Sequence, residues 1–233
     1  MMSSREDQLT ANLAAVRERV AKACAAAGRS VDEVTVIAVT KTFPASDVRL
    51  LAGLGVTDVA ENRDQEASAK AAECRDLPLR WHFVGQLQTN KVRSVASYSD
   101  VVHSVDRERL VTALSRAAAQ ADRSLHCLVQ VALDDAEGRG GVRPGGVPAL
   151  ADAIASAPGL TLGGVMAVAP LGGDPAAAFG RLAEVAAALR AAHPGATMIS
   201  AGMSGDLEEA VACGATHVRV GTALLGGRRA IVR

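Results

Sequence analysis

The feature that most constrains the fold of this chain is an alternation sustained almost from end to end. Eight short apolar runs, at 34–41, 57–61, 80–85, 100–105, 126–132, 160–169, 197–201 and 217–221, are separated by seven helical patterns, at 46–53, 63–74, 89–96, 107–121, 147–157, 175–192 and 205–213. Runs this short and this continuously apolar read as strands buried on both faces, and a strand–helix alternation feeds a parallel sheet. Eight such units in 233 residues match a single-domain α/β protein with a (β/α)8 TIM barrel. An open, doubly wound sheet would use fewer strands and carry a glycine-rich fingerprint after the first, where this chain has "KTFPAS". One further helix precedes the repeat: Leu9, Leu13, Val16 and Val20 share a face within 5–28, and Gly28 supplies the stop. With no linker, low-complexity tract or internal repeat, residues 1–233 form one domain, an N-terminal helix over 1–30 and a barrel over 34–227.

Composition narrows the function classes. Aromatic residues are only 2% of a chain that is 49% hydrophobic, so the core is built from Ala, Val and Leu. The 25 basic residues balance 25 acidic ones, which leaves no electrostatic footprint for nucleic acid or an anionic membrane. The start, "MMSSREDQLT", is polar, unlike a signal peptide, and "GLTLGGVMAVAPLGG" is shorter than the roughly 18 residues of a membrane span. Cys24, Cys74, Cys127 and Cys213 are widely spaced and make no C-x-x-C pair, as expected of free thiols in a reducing compartment. A cytoplasmic protein is expected.

In such barrels ligands bind at the C-terminal strand ends. The stretch "VTVIAVTKTFPASD" ends its strand on Lys41, breaks at Pro44, and offers Ser46 as N-cap of the next helix. Strand two ends in Glu61 and Asn62; strand three carries His82, with Gln86, Gln88, Asn90 and Lys91 just beyond. "SAGMSGDLEEA" places Ser200 and Ser204 around glycines at a helix start, and "VGTALLGG" adds Gly221 and Thr222 after strand eight. Each segment alone reads as ordinary caps and turns, but phosphate sites in this fold form from the loops after strands seven and eight, where both fall. A phosphate site across the mouth from a lysine suggests a phosphorylated carbonyl ligand, since an aldehyde or ketone condenses with an amine. A sugar-phosphate aldolase and a pyridoxal 5'-phosphate (PLP) protein both satisfy that chemistry.

"VIAVTKTFP", "AENRDQE", "WHFVGQLQTNK" and "GMSGDLEEAVACGATHVRVGTALLG" together resemble the YggS/PROSC family of PLP-binding homeostasis proteins, over about residues 34–227. Ala60 and Arg63 depart from the family, which usually has glycine and often an aromatic there, and the tail "GGRRAIVR" differs too. The resemblance implies the alanine racemase N-terminal barrel, PLP fold type III, with PLP held covalently as a Schiff base on Lys41. It further implies that Ser200, Ser204, Gly221 and Thr222 hold the phosphate with Met203 close by, that Asn62 and His82 lie near the ring, and that Arg219 faces the pyridine nitrogen. Read without the family, a lone His82 reads first as a hydrogen-bonded core histidine, and Arg219 could be a barrel-interior cation paired with Glu61 or Asp58. His103, His126, His193 and His217 belong to no constellation and read as structural; "EGRGGVRPGGVP" (137–148) lacks a Gly-Lys-Ser/Thr ending and reads as a mobile loop over the site.

An arginine beside the pyridine nitrogen cannot accept its proton, so the ring would be a weaker electron sink than one paired with a carboxylate. Racemisation also needs a second acid/base opposite the lysine, and the one tyrosine, Tyr98, falls at the N-terminal end of a strand, on the wrong face. What the resemblance implies is therefore a non-catalytic protein of PLP (vitamin B6) homeostasis, supplying PLP to apo-enzymes through transient contacts. The alternatives are a weak PLP-dependent amino-acid racemase using Glu61, His82 or a loop residue, and a PLP-free aldolase. Without the racemase's second domain, a monomer is expected.

Overall fold

In the computed structural model, which describes residues 4–134 and 140–227, the eight runs form eight parallel strands closed into a barrel in sequence order. They are β1 (Thr35–Val39), β2 (Asp58–Glu61), β3 (Arg80–Phe83), β4 (Val101–Val105), β5 (Leu125–Gln130), β6 (Leu160–Met166), β7 (Met198–Ser200) and β8 (His217–Val220). The helices are α1 (Arg5–Ala26), α2 (Ala45–Gly53), α3 (Asp64–Glu73), α4 (Val92–Tyr98), α5 (Glu108–Gln120), α6 (Val147–Ser156), α7 (Pro175–Ala192), α8 (Leu207–Ala212) and α9 (Thr222–Leu225). The fold expected from the alternation is the fold observed.

The outward strand residues and the inner helix faces make the main core, a layer of Val, Leu and Ala such as Val102, Leu114, Val129, Ile154 and Leu182. The barrel interior is different. Two small apolar groups, Val101–Leu128–Met166–Met198 and Ile37–Val39–Ala60, leave room between them for buried Asp58, His82, His103, Ser200 and Arg219. Polar groups survive there only if they satisfy one another.

Register follows from two glycines. At Gly164, with φ of 145°, a Cβ would lie 2.0 Å from the Met198 carbonyl, so only glycine lets β6 and β7 approach so closely. At Gly85 a Cβ would lie 2.1 Å from the Asn62 carbonyl, so the chain beyond β3 passes tight against the end of β2. The thinnest join is between β7 and β8, where the registered pair is Ser200 with His217.

Helix α1 lies outside the repeat. Ser4 and Asp7 form a capping box, and Leu9, Leu13, Val16 and Val20 are buried against a cluster that includes Val48, Leu51, Leu207, Val211 and Leu224. Polar contacts reinforce that face: Arg5 with Asp47 at 2.6 Å, Arg19 with Glu208 at 2.7 Å, and Asn12 Nδ2 donating to the Leu224 carbonyl at 2.9 Å.

Three local expectations are corrected. Pro44 occupies the N-cap position of α2, which begins at Ala45, so Ser46 is not its cap. β1 ends at Val39, and Lys41 lies in the turn that follows. The 137–148 segment is not loop throughout: Pro144–Gly146 form a 3-10 turn and α6 begins at Val147, while the Val142 amide donates to the Gln130 carbonyl and Gln130 Nε2 to the Gly140 carbonyl, both at 2.8 Å. Residues 137–139, like the 228–233 tail, lie outside the described residues. Among the described residues no helix is long and apolar enough to cross a membrane.

Candidate functional site

The turn after β1 is built to hold Lys41 in one place. Thr42 adopts a left-handed φ of 70°, which a β-branched residue takes only when its surroundings impose it. The imposition comes from α3: Glu66 accepts a hydrogen bond from the Thr42 amide at 3.1 Å, and Lys70 Nζ donates to the Thr40 carbonyl at 2.7 Å. Lys70 also pairs with Glu61 at 2.5 Å, and the Thr40 hydroxyl donates to the same carboxylate oxygen at 2.6 Å. Burial pushes the Glu61 carboxyl above its ordinary value, against the opposing pull of Lys70. Glu61 therefore belongs to the mount beneath Lys41 and does not pair with Arg219.

Lys41 borders a cavity of about 420 Å³ at the C-terminal strand ends, within the range of small-ligand sites. Asn62, Met203, Ser204, Arg219, Gly221 and Thr222, all expected at the site, line it too. Val39, Val84, Met166 and Val168 supply apolar walls suited to a flat ring. Ser204 and Gly205 face Gly221 and Thr222 across one edge; the Ser204 hydroxyl accepts from the Ala223 amide at 3.1 Å, joining the two loops. Arg19 of α1 holds this edge from behind, donating to the Ser204 carbonyl at 3.0 Å.

Two expected residues are elsewhere. His82 and Ser200 do not line the cavity; they are 1% and 0% exposed in the barrel interior beneath it. Their side chains are taken up in a chain of contacts: Asp58 Oδ1 to His82 Nε2 at 2.8 Å, His82 Nδ1 to His103 Nε2 at 2.8 Å, and His103 Nδ1 to Ser200 Oγ at 2.9 Å. Arg219 completes it, donating to Ser200 Oγ at 2.6 Å and to the Ala167 carbonyl at 2.9 Å. His82 is thus a hydrogen-bonded interior histidine, and His103, read from sequence as belonging to no constellation, is central to this one. Burial pulls the Arg219 guanidinium down to about 10, which leaves it protonated at neutral pH. His217 is pushed down to about 4 by burial, and Tyr98, which ends α4 away from the cavity, is pushed well up by burial.

Fold and site define a class: a (β/α)8 barrel with an amine, a guanidinium and a hydroxyl–glycine edge converging on one mouth. The chain belongs to the family described as alanine racemase, N-terminal domain, matched over residues 7–229, and within it to the pyridoxal phosphate homeostasis proteins. It is 47% identical over 244 residues to the pyridoxal phosphate homeostasis protein of Mycobacterium tuberculosis, covering 97% of this chain and 95% of the relative. The protein of that name from Escherichia coli is 37% identical over 227 residues, covering 93% and 95%. Among solved structures, PipY of Synechococcus elongatus with PLP bound superposes with a TM-score of 0.82 at 36% identity, covering 94% of this chain and all (100%) of that one. An alanine racemase from Clostridium difficile, 14% identical, shares the fold with a TM-score of 0.70 over 94% of this chain and 56% of its own.

Proposed function

We propose that this chain binds PLP covalently through Lys41 and serves PLP homeostasis, holding the cofactor for delivery to apo-enzymes. The residues present fit the cofactor. Asn62 Oδ1 is buried and has no hydrogen-bond partner among the described residues, beside apolar walls that suit a pyridine ring. Lys41 would take the aldehyde carbon, Arg219 would donate to the ring nitrogen, and Ser204, Thr222, Gly205 and Gly221 would surround the phosphate, with Met203 against it. Bound there, PLP supplies an aldehyde that a lysine amine can capture and a ring that withdraws electrons.

The observation that carries the non-catalytic part is the make-up of the lining. Among the described residues around the cavity, the only ionisable side chains are Lys41 and Arg219, both cationic. Chemistry at an amino-acid α-carbon needs a group that removes a proton and, for racemisation, a second that returns one to the opposite face. An arginine, always protonated, serves neither role, and it keeps the ring nitrogen as an acceptor. Lys41 alone remains, which supports storage and release over turnover. As a carrier, the protein works as a monomer that meets apo-enzymes transiently.

Borohydride reduction of the protein saturated with PLP, followed by peptide mapping, tests the binding. A pyridoxyl mass on Lys41 is expected; a mass on Lys91 or Lys70, or none, overturns the assignment. The carrier role predicts transfer of PLP to an apo-enzyme without catalytic exchange of the α-hydrogen of alanine or serine in deuterated water. Exchange at an enzymatic rate would make the protein a racemase.

A further inference from the structure

The buried chain behind Arg219 has only one arrangement of protons that satisfies it. Arg219 can only donate, so the Ser200 oxygen accepts from it at 2.6 Å. The hydroxyl hydrogen of Ser200, a residue 0% exposed, then has one acceptor among its described partners, His103 Nδ1 at 2.9 Å. With Nδ1 accepting, a neutral His103 carries its proton on Nε2. From the opposite end, the Asp58 carboxylate can only accept, so His82 Nε2 carries the proton between them at 2.8 Å. A neutral His82 then accepts on Nδ1, which is where His103 Nε2 points at 2.8 Å. The two deductions start from opposite ends and meet without conflict.

Both imidazoles are neutral for physical reasons. Burial holds His103 well below its ordinary value and lowers His82 as well, the latter against the pull of Asp58. Burial would raise Asp58, but hydrogen bonds from His82 and from the Thr57 hydroxyl at 2.7 Å outweigh it and keep the carboxyl below its usual range. Each of the four hydrogen bonds from Arg219 to Asp58 therefore donates in the same direction, away from the cavity, and aligned bonds of this kind polarise one another in a dry interior.

We propose that Asp58, His82, His103 and Ser200 are positioning residues that act through Arg219: a one-way relay that fixes the guanidinium at the cavity floor and commits it to donate to the ring nitrogen of the bound cofactor. The relay turns a lone-pair face towards Arg219 and ends in a carboxylate, four hydrogen bonds away at the start of β2. It explains why a barrel with a sparse apolar interior carries two histidines and an aspartate through its centre. The coupling to cofactor rests on the functional reading above; the proton arrangement does not.

Nitrogen-15 NMR of the imidazoles in the wild-type protein without cofactor tests the arrangement directly. Both His82 and His103 are expected as neutral tautomers protonated on Nε2 at pH 7; a proton on Nδ1 of either, or a cationic ring, overturns the relay. The coupling is read with PLP labelled on the ring nitrogen. Ser200→Ala, which removes the acceptor facing Arg219, is expected to release PLP about tenfold faster, the loss of one hydrogen bond to a charged group. Asp58→Asn, outside the cavity, is expected to shift the His103 signals and the ring-nitrogen signal together. If Ser200→Ala keeps the wild-type release rate, or if Asp58→Asn moves His103 but not the ring nitrogen, the relay does not act through Arg219. Wild-type protein that takes up no PLP would overturn the functional reading and the coupling with it, while the tautomers of the cofactor-free protein still decide the relay itself.

Discussion

Lys70→Met is the perturbation that best tests how the site is mounted. Lys70 is 7% exposed and Glu61 0%, so the pair exchanges its attraction with almost no help from water. Removing the cation leaves the carboxylate buried with the Thr40 hydroxyl as its remaining donor among the described residues, a loss that costs about 3–5 kcal/mol when a buried pair is broken. The carboxyl has an escape, which is to take up a proton. With Lys70 gone, nothing comparable opposes the burial that already raises Glu61, and its folded-state value moves further above the unfolded one. Between those two values the folded chain holds more protons than the unfolded chain, so stability falls as pH rises, by up to about 1.4 kcal/mol per pH unit. Urea unfolding of wild type and variant at pH 5 and pH 8 measures both quantities. The deficit should be larger at pH 8, and Lys70→Met/Glu61→Gln should recover most of it and flatten the pH dependence. A variant losing less than about 1 kcal/mol at both pH values, or a double variant no better than the single, would refute the buried-pair reasoning.

Lys41→Ala should abolish the pyridoxyl adduct, read by mass spectrometry after borohydride, with unchanged thermal unfolding, because the residue sits in a turn above the packed layers. Ser204→Ala removes both a lining hydroxyl and the acceptor for the Ala223 amide, so PLP should dissociate about tenfold faster while the covalent link still forms. Gly85→Ala forces a Cβ within 2.1 Å of the Asn62 carbonyl, and denaturant unfolding should show a loss of about 1–3 kcal/mol together with weaker PLP retention.

The barrel was legible because its signal is local: each apolar run and each helical pattern declares itself within a dozen residues. That Lys41 and the Ser204 and Thr222 segments border the cavity was legible for a related reason, since the turn after a strand is also a local mark and the fold says where ligands go. The relay was not. Asp58, His82, His103, Ser200 and Arg219 come from five strands, and only their mutual register, such as Ala60 opposite His82 and His82 opposite Val101, brings them together. A histidine alternating with apolar neighbours looks the same in sequence whether it faces a ligand or another histidine. The mount of Lys41 was hidden likewise, because Lys70 and Glu66 sit on α3 among residues that read as an ordinary solvated face. The short α9 was missed because "TALL" carries too few residues to show a period.

Helix α1 has a consequence for the ring as a closed object. The join with the fewest registered pairs is the one between β7 and β8. The N-terminal helix braces the wall beside that join like a hoop on a cask, packed on α8, which links the two strands, and on α9, which follows β8, and its Arg19 grips the very loop that edges the cavity. That edge of the cavity is thereby tied to a segment made before any strand, so the mouth of the vessel is braced from outside the repeat that forms its wall.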